Sequence, residues 1–400
     1  MKNNCSDKIF YIVLLVIWLP LLLCKCAHEN VESISSVRIG KNEVKVFNLT
    51  NVKDSIDIKL SDLVDDIAFI PLETNPNCLL NRPDFFIGPD YILSFEKGGS
   101  IYQFDRAGNF IRPITNYGQG PVEVSQYVWA VDESANILYV KNQGQENFLS
   151  FDLKSGEYLK KIPLAHKCEI AQFVVPQPGT FLIAPTLSPA QGSNSFFSFW
   201  QNSNGDFLGG VPAPADSRVG YGSQVLYQVS DETYYYYSKT DTLFSIDKKS
   251  RSPEWIFNLS TVDSESKSDP GSKTLNVIVY HKKYMLCSLF IARSTNKKET
   301  ITATTGGLFY LLFDNKKKQA KYLNRLTVDI LEQPVRPVLI KTQHDGTVYI
   351  RYNALDFKEQ IEQTLLDPDI DPETRENLEK LNTQIAVEDN PILLVGKVRS

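Results

Sequence analysis

The sequence predicts an all-β chain folded as a six-bladed β-propeller, with a short helical insertion near the C-terminus. Three observations predict it. A phrase recurs along the chain: Leu138-Tyr139-Val140, then Leu149-Ser150-Phe151-Asp152, then Gly156, Leu159 and Ile162. It occurs earlier as Ile92-Leu93-Ser94, Ile101-Tyr102-Gln103-Phe104-Asp105, Gly108, Phe110 and Ile114. It returns as Tyr235-Tyr236-Tyr237 with Leu243-Phe244-Ser245-Ile246-Asp247, and from Leu308 to Phe313-Asp314. Asp105 and Asp152 stand 47 residues apart, the period of one four-stranded blade. The composition agrees, because 19 Tyr and 22 Phe suit pleated, half-buried surfaces. Only at 358–386 does the apolar pattern change to a helical period.

The elements follow in order. Lys2 and Lys8 precede the apolar run Ile9–Leu23. That run is shorter than the roughly 20 residues a membrane-spanning helix needs, so residues 1–26 read as a signal peptide of lipoprotein type. Cys24 and Cys26 are rival lipid acceptors; the alternative is plain cleavage near Ala27, which would leave a soluble periplasmic protein. Residues 27–54 read as a polar tether with an entry strand at Val44-Lys45-Val46-Phe47. The propeller is expected over 55–400, with blades near 80–115, 126–164, 169–212, 220–259 and 273–326, and a sixth beginning near 334. Within that last blade one helix is expected at Lys358–Leu366. A second is capped by Asp371, with Pro372 at its first position and Leu378, Leu381 and Ile385 on one face. A closing strand at 391–398 would complete a blade shared with the start of the fold, which removes an exposed edge.

Composition and motifs exclude more than they assign. A net charge of −5 argues against a dedicated nucleic-acid surface. Cys78, Cys168 and Cys287 form no CxxC pair and read as small buried hydrophobes. His166, His281 and His344 are scattered, with no HExxH, so no metal is expected. No GxSxG is present, no catalytic residue is assigned and no cofactor is expected. Asp105, Asp152, Asp247 and Asp314 each precede a turn without the alternating carboxylates of a calcium loop. Their expected work is to accept hydrogen bonds from turn amides. Tyr234-Tyr235-Tyr236-Tyr237 is expected to pack between blades, and Lys316-Lys317-Lys318 with Lys321 to form a solvated turn.

Gly118-Gln119-Gly120-Pro121 lacks the Lys and the following helix of a phosphate loop. It reads as a turn in which Gly supplies positive φ and Glu123 accepts from loop amides. For ligand contact the sequence offers Tyr221, between Gly220 and Gly222, with Arg218 nearby as an anion contact.

Three stretches carry a family resemblance. Tyr117-Gly118-Gln119-Gly120-Pro121-Val122-Glu123 matches a GxGPxE signature, with Val124 where an aromatic is common. Asp66-Ile67-Ala68-Phe69-Ile70-Pro71-Leu72-Glu73 resembles an opening strand that ends in Pro-Leu-Glu. Glu388-Asp389-Asn390-Pro391-Ile392-Leu393 follows the late helices. Together they resemble the exported six-bladed propellers of Bacteroides-type bacteria, often lipoproteins of uncharacterised role. That resemblance implies an exported, non-catalytic or uncharacterised protein. The reading is a periplasmic or outer-membrane binding or scaffold protein. It would use one propeller face for a glycan or protein ligand and meet the membrane only through a lipid anchor. The alternative is a propeller enzyme, a lyase or hydrolase, acting on extracellular carbohydrate.

Overall fold

The computed structural model describes residues 32–186, 196–213, 224–229, 232–237, 241–259, 273–281, 283–293 and 305–399. Before the first blade come β1 (Ile34–Ile39), β2 (Asn42–Asn48), β3 (Ser55–Lys59) and β4 (Val64–Pro71). Blade 1 is β5 (Asp84–Ile87), β6 (Tyr91–Phe95), β7 (Ile101–Asp105) and β8 (Phe110–Thr115). Blade 2 is β9 (Tyr127–Asp132), β10 (Ile137–Asn142), β11 (Asn147–Asp152) and β12 (Tyr158–Pro163). Blade 3 is β13 (Ile170–Gln177), β14 (Thr180–Pro185), β15 (Phe196–Asn202) and β16 (Phe207–Pro212). Blade 4 is β17 (Gln224–Val229), β18 (Glu232–Tyr237), β19 (Thr242–Ile246) and β20 (Arg251–Asn258). Blade 5 is β21 (Lys273–Tyr280), β22 (Tyr284–Arg293), β23 (Thr305–Asp314) and β24 (Gln319–Val328), with the two-residue β25 (Gln333–Pro334) on its edge. Blade 6 holds β26 (Ile340–Thr342), β27 (Thr347–Tyr352) and β28 (Ile392–Val398), and its fourth strand is β4. The six-bladed propeller is therefore the fold, with the two α-helices of the described residues in blade 6.

Blade 6 closes the ring. β28 pairs antiparallel with β4, from Ile392 opposite Pro71 to Val398 opposite Val64. β28 is apolar and buried from Ile392 to Val395, and it lies between β27 and β4, so both of its own edges are paired. Asn390 locks the seam, its Nδ2 donating to the carbonyls of Glu73 and Cys78 at 2.6 and 2.8 Å.

Residues 34–54 are not a tether. β1 and β2 form an antiparallel hairpin, and β2 runs parallel to β20 as an extra strand on blade 4. β3 runs parallel to β24 on the outside of blade 5. The cause is burial: Ile34, Val44, Phe47, Leu49 and Val52 are all inside. The Phe47 ring sits 4.7 Å from Phe313 and 6.3 Å from Phe257, a wedge between blades 4 and 5.

The core is a set of seams between neighbouring blades. The tyrosine run shows how alternation serves two seams at once. Tyr235 and Tyr237 pack with Phe197 and Leu226 toward blade 3, whereas Tyr234 and Tyr236 pack with Phe257 and Leu275 toward blade 5. The acidic turns do the expected work. Asp105 Oδ1 accepts from the amides of Ala107 and Asn109, both at 2.9 Å. Asp152, Asp247 and Asp314 each hold two turn amides in the same way, and Asn202 replaces the carboxylate in blade 3.

The insertion begins earlier than the apolar pattern indicates. α1 spans Ala354–Leu365, capped by Asn353, whose Oδ1 accepts from the Asp356 amide at 2.7 Å. α2 spans Pro372–Gln384 with Asp371 as its cap. Phe357, Ile361, Leu378 and Ile385 are buried against blades 5 and 6, with Leu381 packed beside them.

Candidate functional site: the central channel and its mouth

The inner strands β5, β9, β13, β17, β21 and β26 line a central channel of about 460 Å³. Inner strands meet their neighbours along side chains rather than a backbone ladder, so the gaps need polar bridges. Two glutamines supply them. Gln172 Nε2 donates to the Leu226 carbonyl at 2.9 Å, and the Leu226 amide donates to Gln172 Oε1 at 3.0 Å. Gln343 makes the same pair of hydrogen bonds with Ile87, accepting from its amide at 2.7 Å and donating to its carbonyl at 3.2 Å. Each amide side chain behaves as one more peptide unit and fixes the spacing of two blades.

At one end of the channel His344, on the turn after β26, pairs with Glu133, on the turn after β9, at 3.1 Å. Hydrogen bonding to the Glu133 carboxylate raises the His344 pKa, against the opposing effect of burial. Three other groups bear on this pair: Asp345 raises the same pKa, Lys397 lowers it, and the Tyr91 hydroxyl stands near Glu133.

The other end widens into a second cavity of about 450 Å³ beside blades 1, 2 and 3. The two cavities share Asp84, Tyr127, Val128 and Trp129, so they adjoin along the start of β5 and β9. The mouth has an aromatic wall. Trp129 stacks on Phe95, with ring centres 3.7 Å apart and planes 4° from parallel, and Phe86 meets Trp129 edge-on at 6.3 Å. The Tyr127 hydroxyl donates to the Glu96 carbonyl at 3.0 Å, and burial raises its pKa. Of the mouth carboxylates, Glu96 already accepts from the amides of Asn81 and Arg82 at 2.8 and 3.0 Å. Asp84 is exposed in the opening. Lys141, from β10, is buried behind it.

The GxGPxE loop joins blade 1 to blade 2, ahead of Tyr127. Glu123 Oε2 accepts from the Gly120 amide at 2.7 Å, and the Gly118 amide donates to the Val124 carbonyl at 2.8 Å. The reason for the glycines differs from the expected one. Neither Gly118 nor Gly120 has positive φ. A Cβ on Gly118 would lie 2.0 Å from Glu123 Oε2, and one on Gly120 would lie 2.9 Å from the same carboxyl group. They leave room for the carboxylate. Val124 is fully buried in the blade 1–blade 2 core, and Asn142 Nδ2 donates to the Glu123 carbonyl at 2.9 Å. The loop thus braces the strand end that carries Lys141, and Glu123 itself does not line either cavity.

The remaining sequence candidates fall elsewhere. Cys24, Cys26, Arg218 and Tyr221 lie outside the described residues. Among the described residues no group of three or more His, Cys, Asp or Glu could hold a metal ion. No described helix is long and apolar enough to cross a membrane. Cys78 and Cys287 are buried, while Cys168 is only half-buried, and burial pushes its thiol up to about 11. Sequence reading missed Asp84, Trp129, Lys141, Gln172 and Gln343. The one local signal was Lys141, a cation inside the apolar run that makes β10.

No curated protein is similar enough to this chain to match it. Among solved structures, a presumed exported protein from Bacteroides fragilis is 15% identical at a TM-score of 0.61, covering 87% of this chain and 99% of its own. A member of the DUF4221 family from Bacteroides vulgatus is 12% identical at 0.45, covering 84% and 98%. Hydrazine synthase from Kuenenia stuttgartiensis is 13% identical at 0.40, covering 79% and 86%. The first of these shows the shared fold, and it is of the kind that the three sequence stretches resemble. Residues 44–397, which take in almost all of the six blades and their closure, match the family model described as a domain of unknown function, DUF4934, and the chain belongs to that family.

Proposed function

We propose that this chain is an exported, lipid-anchored binding protein that takes its ligand at the mouth framed by Asp84, Tyr127, Trp129 and Lys141. The observation that carries the reading is the pair of adjoining cavities at the mouth and in the channel. It is walled by aromatic rings and by a few fixed polar groups, the make-up of a small-ligand site. Amide bridges and ring stacking hold that wall before any ligand arrives, which lowers the ordering cost of binding. Export and anchoring rest on the apolar run Ile9–Leu23 and on Cys24 and Cys26.

Two measurements test the reading. Titration calorimetry with neutral and acidic oligosaccharides and short peptides should find a saturable ligand. Trp129→Ala should then weaken that ligand by about tenfold, roughly 1.4 kcal/mol. Turnover of a glycan without stable binding would sink the proposal. For the anchor, a palmitate analogue should label the expressed chain, and the label should vanish in Cys24→Ala or in Cys26→Ala. An unlabelled wild type would leave a binding protein without a lipid.

A further inference from the structure

Lys141 is 2% exposed, yet it lines the mouth cavity. Its Nζ donates to the Asn142 carbonyl at 2.7 Å. An ammonium carries three donors, so two have no acceptor among the described residues. No described carboxylate forms an ion pair with it. Burial disfavours its charge, and attraction from Glu169 offsets only part of that cost. A buried cation is costly unless paired and hydrogen-bonded. The Asn142 carbonyl meets part of that requirement, and the same side chain borders a cavity large enough for a ligand.

We infer that Lys141 is the anion contact of the mouth, and that the ligand carries a carboxylate which docks there while its body lies along Trp129 and Tyr127. The inference rests on the binding reading above and names the ligand's chemical class. Of the other charged groups of the mouth, Lys97 stands exposed at the rim and favours an anion, and the Glu96 carboxylate is held by the amides of Asn81 and Arg82. Asp84 and Glu169 oppose an incoming anion, so they select against ligands that lack good contact with Lys141. Asn142 is held through Glu123, so the GxGPxE loop fixes where the cation sits.

The test compares glucuronate with glucose, two sugars of one ring shape that differ by a carboxylate. The full chain is exported by its host and purified, and binding is read by calorimetry at low and at high salt. Glucuronate should bind saturably and glucose at least tenfold more weakly. Lys141→Met should abolish the difference while leaving the thermal midpoint in place, and Lys141→Arg should retain part of it. Should Lys141→Met fail to fold, Glu169→Gln keeps the cation and should raise the ratio of glucuronate to glucose affinity; an unchanged ratio would overturn the contact. Equal affinity for the two sugars would overturn the anion contact while leaving the binding face intact. Absence of any glucuronate binding overturns it too, and the oligosaccharide and peptide panel then decides the binding face separately.

Discussion

Gly108 has no room for a side chain. Its φ is +91°, and a Cβ there would lie 2.1 Å from the carbonyl oxygen of Pro71. The same device recurs: Gly156 abuts Arg112 and Gly205 abuts Pro163, each turn glycine pressing on the outer strand of the preceding blade. Blade 4 reverses it, with Gly209 of blade 3 making space for the Lys248 carbonyl. Gly108→Ala should therefore cost about 2–4 kcal/mol in chemical denaturation, because a backbone atom must move and φ is wrong for alanine. Gly118→Ala should cost nearer 1 kcal/mol, because only the flexible Glu123 carboxylate must swing away. His344 gives the pH dependence. Its pKa is raised by Glu133, so its contribution is complete below the unfolded value near 6.5 and fades as pH rises through the higher folded value. Thermal midpoints of wild type and His344→Gln should differ at pH 5.5 and converge at alkaline pH; a constant gap would remove the linkage. The acidic turns were legible because an aspartate bonds amides two to four residues away. The lining of the channel was not, since Asp84, Trp129, Gln172 and Gln343 come from four blades and meet only in space.

Elements were legible where their own period decides them. α2 followed its cap and its apolar face, and the four strands of each early blade followed alternation and turns. α1 was placed late because Asn353 caps it straight after β27, with no Pro or Gly between them. In the hairpin of β1 and β2, the entry strand expected at Val44–Phe47 lies within β2, whereas β1 and the docking on blade 4 were missed for another reason. What stabilises them is parallel pairing of β2 with β20 and the wedge of Phe47 between two blades. Two substitutions weigh these elements. Phe47→Ala should cost about 3–5 kcal/mol, the range for emptying a buried aromatic site. Asn353→Ala should cost about 1 kcal/mol, the worth of one helix cap. Equilibrium unfolding in urea measures both, and a Phe47→Ala cost below that of the cap variant would return the hairpin to the role of a loose arm.

At the scale of the whole molecule the repeat determined the architecture, because each unit buries its faces only against two neighbours. The number of blades and the shared sixth blade could be read from spacing; the clothing of blades 4 and 5 by the first strands could not. Those strands also dictate an order of events. β2, β3 and β4 come from the first 71 residues, yet their partners are β20, β24 and β28, up to 334 residues away. The β1–β2 hairpin, β3 and β4 must wait without these distant partners while almost all the remaining chain is made. Loop closure over such distances is slow, so the last step of folding joins the oldest part of the chain to the newest, and a ribosome or translocation pore still holding the C-terminus keeps the ring open.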